Sequence, residues 1–164
     1  QKAFEKVHHR GSTPSAVSIK NGKNTAIHLG PKVNKDNFAE IFTHELVHII
    51  FYQKYHGAIP RWLEEGFANH LSKKKKVDYR WLAKQKLPKD VTTLEHPYKG
   101  SDVSVHLHYT TSQALVEMLD KKCDMENLIR LSVGRKMEDY ITTYCGIKDI
   151  NKAFHEWVKS KASN

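Results

Sequence analysis

The segment His44–His48 reads H-E-L-V-H and lies within a stretch that has helical apolar periodicity. On an α-helix, residues four positions apart share one face and lie about 6 Å apart along the axis. The two imidazoles can therefore bind one metal ion, and Glu45 lies on the same side, displaced towards His48. The flanking apolar residues predict that this helix faces the core; they are Phe38, Ile41, Phe42, Leu46, Ile49 and Ile50. Asn37 and Glu40 have the spacing of a capping box at its start.

Two histidines leave a catalytic zinc site incomplete, because such a site has three protein ligands and one water. Downstream, Pro60 marks a helix start, and residues 61–68 read R-W-L-E-E-G-F-A. Two carboxylates, Glu64 and Glu65, therefore lie in the first turn of a second helix. The alternative to metal binding is an exposed acidic first turn that the helix dipole favours.

H-E-L-x-H followed by W-L-x-E-G-F-A resembles the gluzincins, zinc peptidases of the thermolysin and aminopeptidase N type, and in particular the small peptidase MA-like domains. In that motif the glutamate immediately before Gly-Phe-Ala is the third zinc ligand. This position corresponds to Glu65, whereas Glu64 occupies a variable position. The resemblance implies a Zn²⁺ site of His44, His48 and Glu65, with Glu45 as the general base that activates water. The segment from His48 to Glu65 is shorter than in the best-known members, and a trimmed loop at residues 55–57 would explain this.

Residues 106–119 resemble a later helix of the same family, which typically opens with a tyrosine. In aminopeptidase N-like enzymes that tyrosine donates a hydrogen bond to the oxyanion, and Tyr109 corresponds to it. His106 and His108 are alternatives, since thermolysin-like enzymes use a histidine here; Tyr109 could also simply pack at a helix start. Asn69 corresponds to the acidic residue that orients the first histidine ligand in the thermolysin group, and a surface asparagine is the alternative.

The length of 164 residues predicts a single domain, which the resemblance implies is zincin-like, and no apolar run is long enough to span a membrane. The formal net charge of +9 favours anionic partners or reflects solubility alone. Lys73–Lys76 is interpreted as a solvated helix end, and no nucleic-acid motif accompanies it. Cys123 and Cys145 could pair in a secreted protein or stay free and buried. The start at Gln1 rather than Met slightly favours an extracytoplasmic or secreted location, and the oligomeric state stays open.

The pattern of short segments predicts an α+β fold: a small N-terminal β-sheet followed by a mostly helical body that contains the active-site helix. Strands are expected at residues 4–9, 15–20 and 25–29, with a hairpin turn at 21–24. Residues 25–29 are the candidate strand that binds substrate as an added β-strand. Helices are expected near residues 37–55, 60–73, 78–86, 108–121, 124–133, 137–145 and 149–161, and residues 88–104 are expected to be irregular.

The function expected from these residues is zinc-dependent hydrolysis of a peptide or protein substrate. One alternative is a non-catalytic, zinc-stabilised binding module with a basic surface. Another is a zinc hydrolase that acts on a non-peptide amide. Glu45 favours an enzyme, because a purely structural metal needs no general base. The motif G-A-M-E-N, which aminopeptidase N-like exopeptidases use, is absent from the sequence. The substrate and the choice between endo- and exopeptidase stay open.

Overall fold

The N-terminal sheet is a two-stranded antiparallel hairpin. The computed structural model describes residues 15–21, 24–72, 76–91, 94, 102–133 and 137–163. Within them, β1 (Ala16–Asn21) pairs with β2 (Asn24–Leu29), and Asn21 lies opposite Asn24. The turn therefore falls on the predicted residues. The strand predicted at residues 4–9 lies outside the described residues.

Seven helices follow in the part of the chain that the structure describes. They are α1 (Phe38–Tyr55), α2 (Arg61–Leu71), α3 (Tyr79–Leu82), α4 (Asp102–Asp120), α5 (Met125–Ser132), α6 (Met137–Tyr144) and α7 (Ile150–Ala162). With the hairpin, they confirm the predicted α+β class. Two bounds differ from the prediction by more than two residues. Helix α3 is shorter than residues 78–86, and α4 begins at Asp102 rather than near residue 108, because its extra turns bring Leu107 against the core.

Aspartate side chains begin three of the helices. Asp78, Asp124 and Asp149 each accept a hydrogen bond from the backbone N–H three residues later, at the starts of α3, α5 and α7. Asn37 stands at the start of α1, but its Oδ1 accepts a hydrogen bond from the backbone N–H of Asn34 at 2.8 Å. The predicted side-chain cap of α1 is therefore wrong.

Helix α2 lies at the centre of the molecule. It packs against both α1 and α4, and every residue from Trp62 to Asn69 is buried. A helix that is buried on all sides normally carries few charges, because an unpaired buried carboxylate is costly. Glu64 and Glu65 nevertheless lie within this buried stretch, only 6% and 4% exposed. The alternative that they form an exposed acidic turn is therefore excluded.

Helix α1 presents a different face to the core than the one predicted. Its buried residues are Val47, His48, Ile49 and Phe51. Four of the apolar residues that were expected in the core are exposed, with a spacing of four residues: Phe38, Phe42, Leu46 and Ile50. The prediction is wrong for these four, because the histidine face of α1 turns towards the carboxylates of α2.

A disulfide between Cys123 and Cys145 joins the ends of α4 and α6. The Cα atoms of the two cysteines are 4.8 Å apart. Of the two alternatives for these cysteines, pairing is therefore the one observed. None of the described helices combines the length and apolarity that crossing a membrane requires. Residues 73–75 of the lysine run lie outside the described residues.

Candidate metal centre

A short connection brings α2 directly back onto α1. Helix α1 ends at Tyr55, and the next two residues have left-handed backbone conformations, with φ of 49° at His56 and 83° at Gly57. Gly57 takes this conformation without steric cost, which reverses the chain within a few residues. Helix α2 then starts at Arg61. The short interval between the two motifs, which departs from the best-known gluzincins, is thus accommodated in this loop.

Three donor atoms converge between the two helices. The Nε2 atoms of His44 and His48 lie 3.2 Å apart, and Oε2 of Glu65 lies 3.6 Å from each of them. All three side chains are largely withdrawn from solvent, with exposed fractions of 14%, 8% and 5%. The sequence-predicted trio therefore forms a group that could hold a metal ion.

The spacing of the three atoms fits a tetrahedral ion. With metal–ligand bonds of about 2.0–2.2 Å, adjacent ligand atoms of a tetrahedral zinc site lie about 3.3–3.6 Å apart. The observed separations of 3.2, 3.6 and 3.6 Å are within a few tenths of an ångström of this value. Two imidazoles and one carboxylate also leave the fourth position open, as a catalytic rather than a structural site requires.

Gly66 allows the approach of α4 that buries this group. A Cβ placed on Gly66 would collide with the backbone carbonyl oxygen of Ser112 and would lie 2.6 Å from Cγ2 of Val116. Because one of these atoms belongs to the backbone, no side-chain rotation can make room. The glycine beside Glu65 therefore has a packing role: it lets α4 cover the helix that carries the third donor.

Glu64 contacts the opposite side of His48. Its Oε1 lies 2.8 Å from Nδ1 of His48, and its Oε2 accepts a hydrogen bond from Nη1 of Arg61 at 2.9 Å. Sequence reasoning treated Glu64 as a variable position and missed this contact. The signal that could have found it is the pair of adjacent carboxylates, since consecutive residues of a buried helix point in different directions and each needs its own partner.

The pKa of His48 reflects this environment. Burial alone would lower it, but the hydrogen bond to Glu64 and the nearby carboxylate of Glu65 outweigh burial and raise the pKa from 6.5 to about 9. A proton or a cation is therefore strongly favoured at this histidine.

The expected general base lies on α1, and the expected oxyanion donor lies on α4. Glu45 is half-buried and follows His44 on α1, about 60° around the helix axis from His48. Tyr109 is half-buried within α4 and does not open it, so the prediction that it starts the helix is wrong. Spacings of three and four residues nevertheless place Tyr109, Ser112 and Val116 on one face, the face that meets Gly66.

The other candidates of the sequence have different surroundings. His106 is exposed, and its ring packs against Trp81 with centroids 4.7 Å apart. His108 is half-buried, and its Nδ1 has no hydrogen-bond partner among the described residues. Asn69 is buried rather than at the surface, yet its Oδ1 accepts no hydrogen bond from His44 or any other described residue. The orienting role expected of Asn69 is therefore not observed.

Comparison with known proteins found no match: no family model, no curated protein and no solved structure matches this chain.

The first prediction concerns the third donor. Glu65→Ala should reduce metal binding severely, because it leaves two histidines and exposes an incomplete site. Zinc content after dialysis and zinc affinity from competition with a chelating dye would measure this. Glu156→Ala, which removes an exposed carboxylate of α7, is the matched control and should retain one zinc per chain. Unchanged zinc affinity in Glu65→Ala would contradict the assignment.

The second prediction concerns pH. The pKa of His48 is raised from 6.5 to about 9, so the folded metal-free protein holds a proton that the unfolded chain releases. This stabilisation is complete below pH 6.5 and should disappear as the pH rises through about 9. Denaturant unfolding of metal-free protein between pH 6 and pH 10 would measure it. In His48→Gln this part of the pH dependence should vanish, and an equal dependence in both proteins would contradict the prediction.

Proposed function

We propose that this protein is a zinc-dependent peptidase of the gluzincin type. The observation that supports this best is the convergence of two imidazole nitrogens and one carboxylate oxygen within 3.6 Å of one another, with Glu45 adjacent to the first histidine. A metal with only a structural role is usually enclosed by four protein ligands. Three donors and a neighbouring carboxylate are instead the set that a hydrolase uses.

The donor set supports Zn²⁺ as the ion. Imidazole and carboxylate ligands in a tetrahedral arrangement with one open position are typical of zinc hydrolases, whereas Mg²⁺ and Ca²⁺ prefer six or more oxygen ligands. When bound, zinc lowers the pKa of water and polarises the substrate carbonyl.

Glu45 is the proposed general base. Its carboxylate takes a proton from the attacking water and then delivers this proton to the nitrogen of the leaving amine as the C–N bond breaks. Its half-buried position supports both steps, because Glu45 follows the first histidine on α1 and remains within reach of water.

Tyr109 is the proposed hydrogen-bond donor to the oxyanion. The face of α4 that carries Tyr109 also carries Ser112, whose backbone meets the glycine next to Glu65. Its phenol therefore lies about one helical turn along α4 from that contact. A neutral phenol that donates to the carbonyl oxygen stabilises charge as it develops.

Strand β2 is the proposed substrate strand. It packs against α1, and Nε2 of Gln53 near the end of α1 donates a hydrogen bond to Oγ1 of Thr25 at 3.1 Å. An extended peptide that pairs with this strand would run alongside the helix that carries the two histidines.

The third prediction tests the general base. Glu45→Gln should keep the fold and one zinc per chain, but peptide hydrolysis should fall by about 10²–10⁴-fold or more, because the amide neither accepts nor delivers the proton. A library of quenched fluorescent peptides, with cleavage sites read by mass spectrometry, would measure the rates at equal zinc content.

Glu40→Gln is the matched control, since it changes a half-buried glutamate in the first turn of the same helix. It should hydrolyse peptides at the wild-type rate. Equal rates in wild type and Glu45→Gln would rule out the mechanism. Zinc-loaded wild type that cleaves no peptide would favour the non-catalytic module instead.

The fourth prediction tests the oxyanion donor. Tyr109→Phe keeps the ring and removes only the hydroxyl, so kcat should fall by about 10²–10³-fold while KM changes little. Zinc content and thermal stability should stay at wild-type values. Wild-type kcat in this variant would transfer the role to His108 or His106, each of which would then be replaced singly and assayed.

A further inference from the structure

His48 is held at both ring nitrogens by consecutive residues of α2. Glu65 lies 3.6 Å from Nε2, on the side of the metal-binding group, and Glu64 lies 2.8 Å from Nδ1, on the opposite side. Successive side chains of a helix diverge by about 100°, which allows adjacent glutamates to reach both sides of one imidazole. The Glu64 contact is buried, with only 8% of each side chain exposed.

This contact determines which ring nitrogen of His48 carries the proton and which one presents a lone pair to the metal-binding group. An ionised carboxylate only accepts hydrogen bonds, so the proton of a neutral His48 must lie on Nδ1. Nε2 is then the nitrogen without a proton, directed at the other two donor atoms. A carboxylate on the far nitrogen also makes the imidazole a stronger donor to a metal.

Arg61 completes a chain of three residues. Its Nη1 donates to Oε2 of Glu64 at 2.9 Å, and its side chain is 48% exposed. The guanidinium pairs with Glu64 and limits its rotation, so that Oε1 stays directed at His48. The contact of Arg61 with this group of side chains is the one to Glu64, so we expect its effect on a metal to pass through Glu64.

We propose that Glu64 and Arg61 are positioning residues that tune metal binding through Nδ1 of His48. This proposal rests on the proposed zinc site. Neither residue binds the metal itself in this proposal; each affects the metal through His48. Glu64 sets the tautomer and the donor strength of His48, and Arg61 acts only by holding Glu64.

The experiment is a double-variant cycle on zinc affinity, measured by competition with a chelating dye at constant pH. Glu64→Leu removes the acceptor and should weaken zinc binding by about 10–100-fold while one zinc site per chain remains. Glu64→Gln keeps an acceptor oxygen but loses the charge, and should lie between Glu64→Leu and wild type. Arg61→Gln should weaken binding several-fold. Arg130→Gln is the matched control, since Arg130 is an exposed arginine that donates to a side chain three residues away, Asn127, within its own helix.

The cycle separates positioning from general destabilisation. If Arg61 acts only through Glu64, adding Arg61→Gln to Glu64→Leu should not weaken zinc binding further. An additive loss would overturn the proposed chain, and wild-type zinc affinity in Glu64→Leu would overturn the role of Glu64. If Glu64→Leu does not fold, Glu64→Gln takes its place in the cycle with the same expectations.

A spectroscopic readout keeps this proposal distinct from the proposed function. In ¹⁵N-edited NMR of the wild type, a proton on Nδ1 of His48 should be protected from exchange, and it should exchange rapidly in Glu64→Leu. If the wild type binds no zinc, the proposed function is contradicted. Protection of the Nδ1 proton then still tests the contact between His48 and Glu64. An unprotected Nδ1 proton in wild type would overturn the positioning role even if the protein binds zinc and cleaves peptides.

Discussion

The burial of two consecutive carboxylates in α2 is the constraint on which the rest of the structure depends. Burying an ionised carboxylate costs several kcal/mol unless it is paired and hydrogen-bonded. Glu64 and Glu65 lie in the helix that packs against both α1 and α4, so neither can reach bulk water by a simple rotation. Arg61 of the same helix pairs with Glu64, and α1 supplies the histidines that lie against both carboxylates. This requirement orients α1 with its histidines inward and leaves four large apolar side chains exposed.

The packing of α4 against α2 covers the side of α2 that carries Gly66. Where the two helices meet, Gly66 has no side chain, and a Cβ at this position would collide with the backbone of Ser112. The motif E-G-F-A thus combines two physical requirements in adjacent residues: a carboxylate that needs a cation, and a glycine that lets another helix cover it. A donor atom fixed between three helices keeps its position, and fixed donors are what a metal site with an open position needs.

The features that local sequence determines were predictable, and those that depend on distant contacts were not. The hairpin around Asn21 and the aspartate caps follow from turn and cap chemistry within a few residues. The spacing of His44 and His48 likewise predicted one shared face. By contrast, an apolar stripe with a four-residue spacing looks the same whether it faces the core or solvent. The contact between His48 and Glu64 joins residues 16 positions apart, and the adjacent carboxylates indicate only that each needs a partner, not which residue supplies it.

The raised pKa of His48 bears on whether the metal would serve folding or chemistry. A structural zinc site commonly holds a chain that cannot fold without the ion, because binding of the ion supplies much of the free energy of folding. Here a protonated His48 lies between Glu64 and Glu65, and its charge reduces the repulsion between the two carboxylates in the absence of an ion. The proton therefore favours the contact between α1 and α2 in the metal-free protein. A group of donors that a proton can stabilise in this way is compatible with the proposed catalytic role, in which the ion keeps an open position.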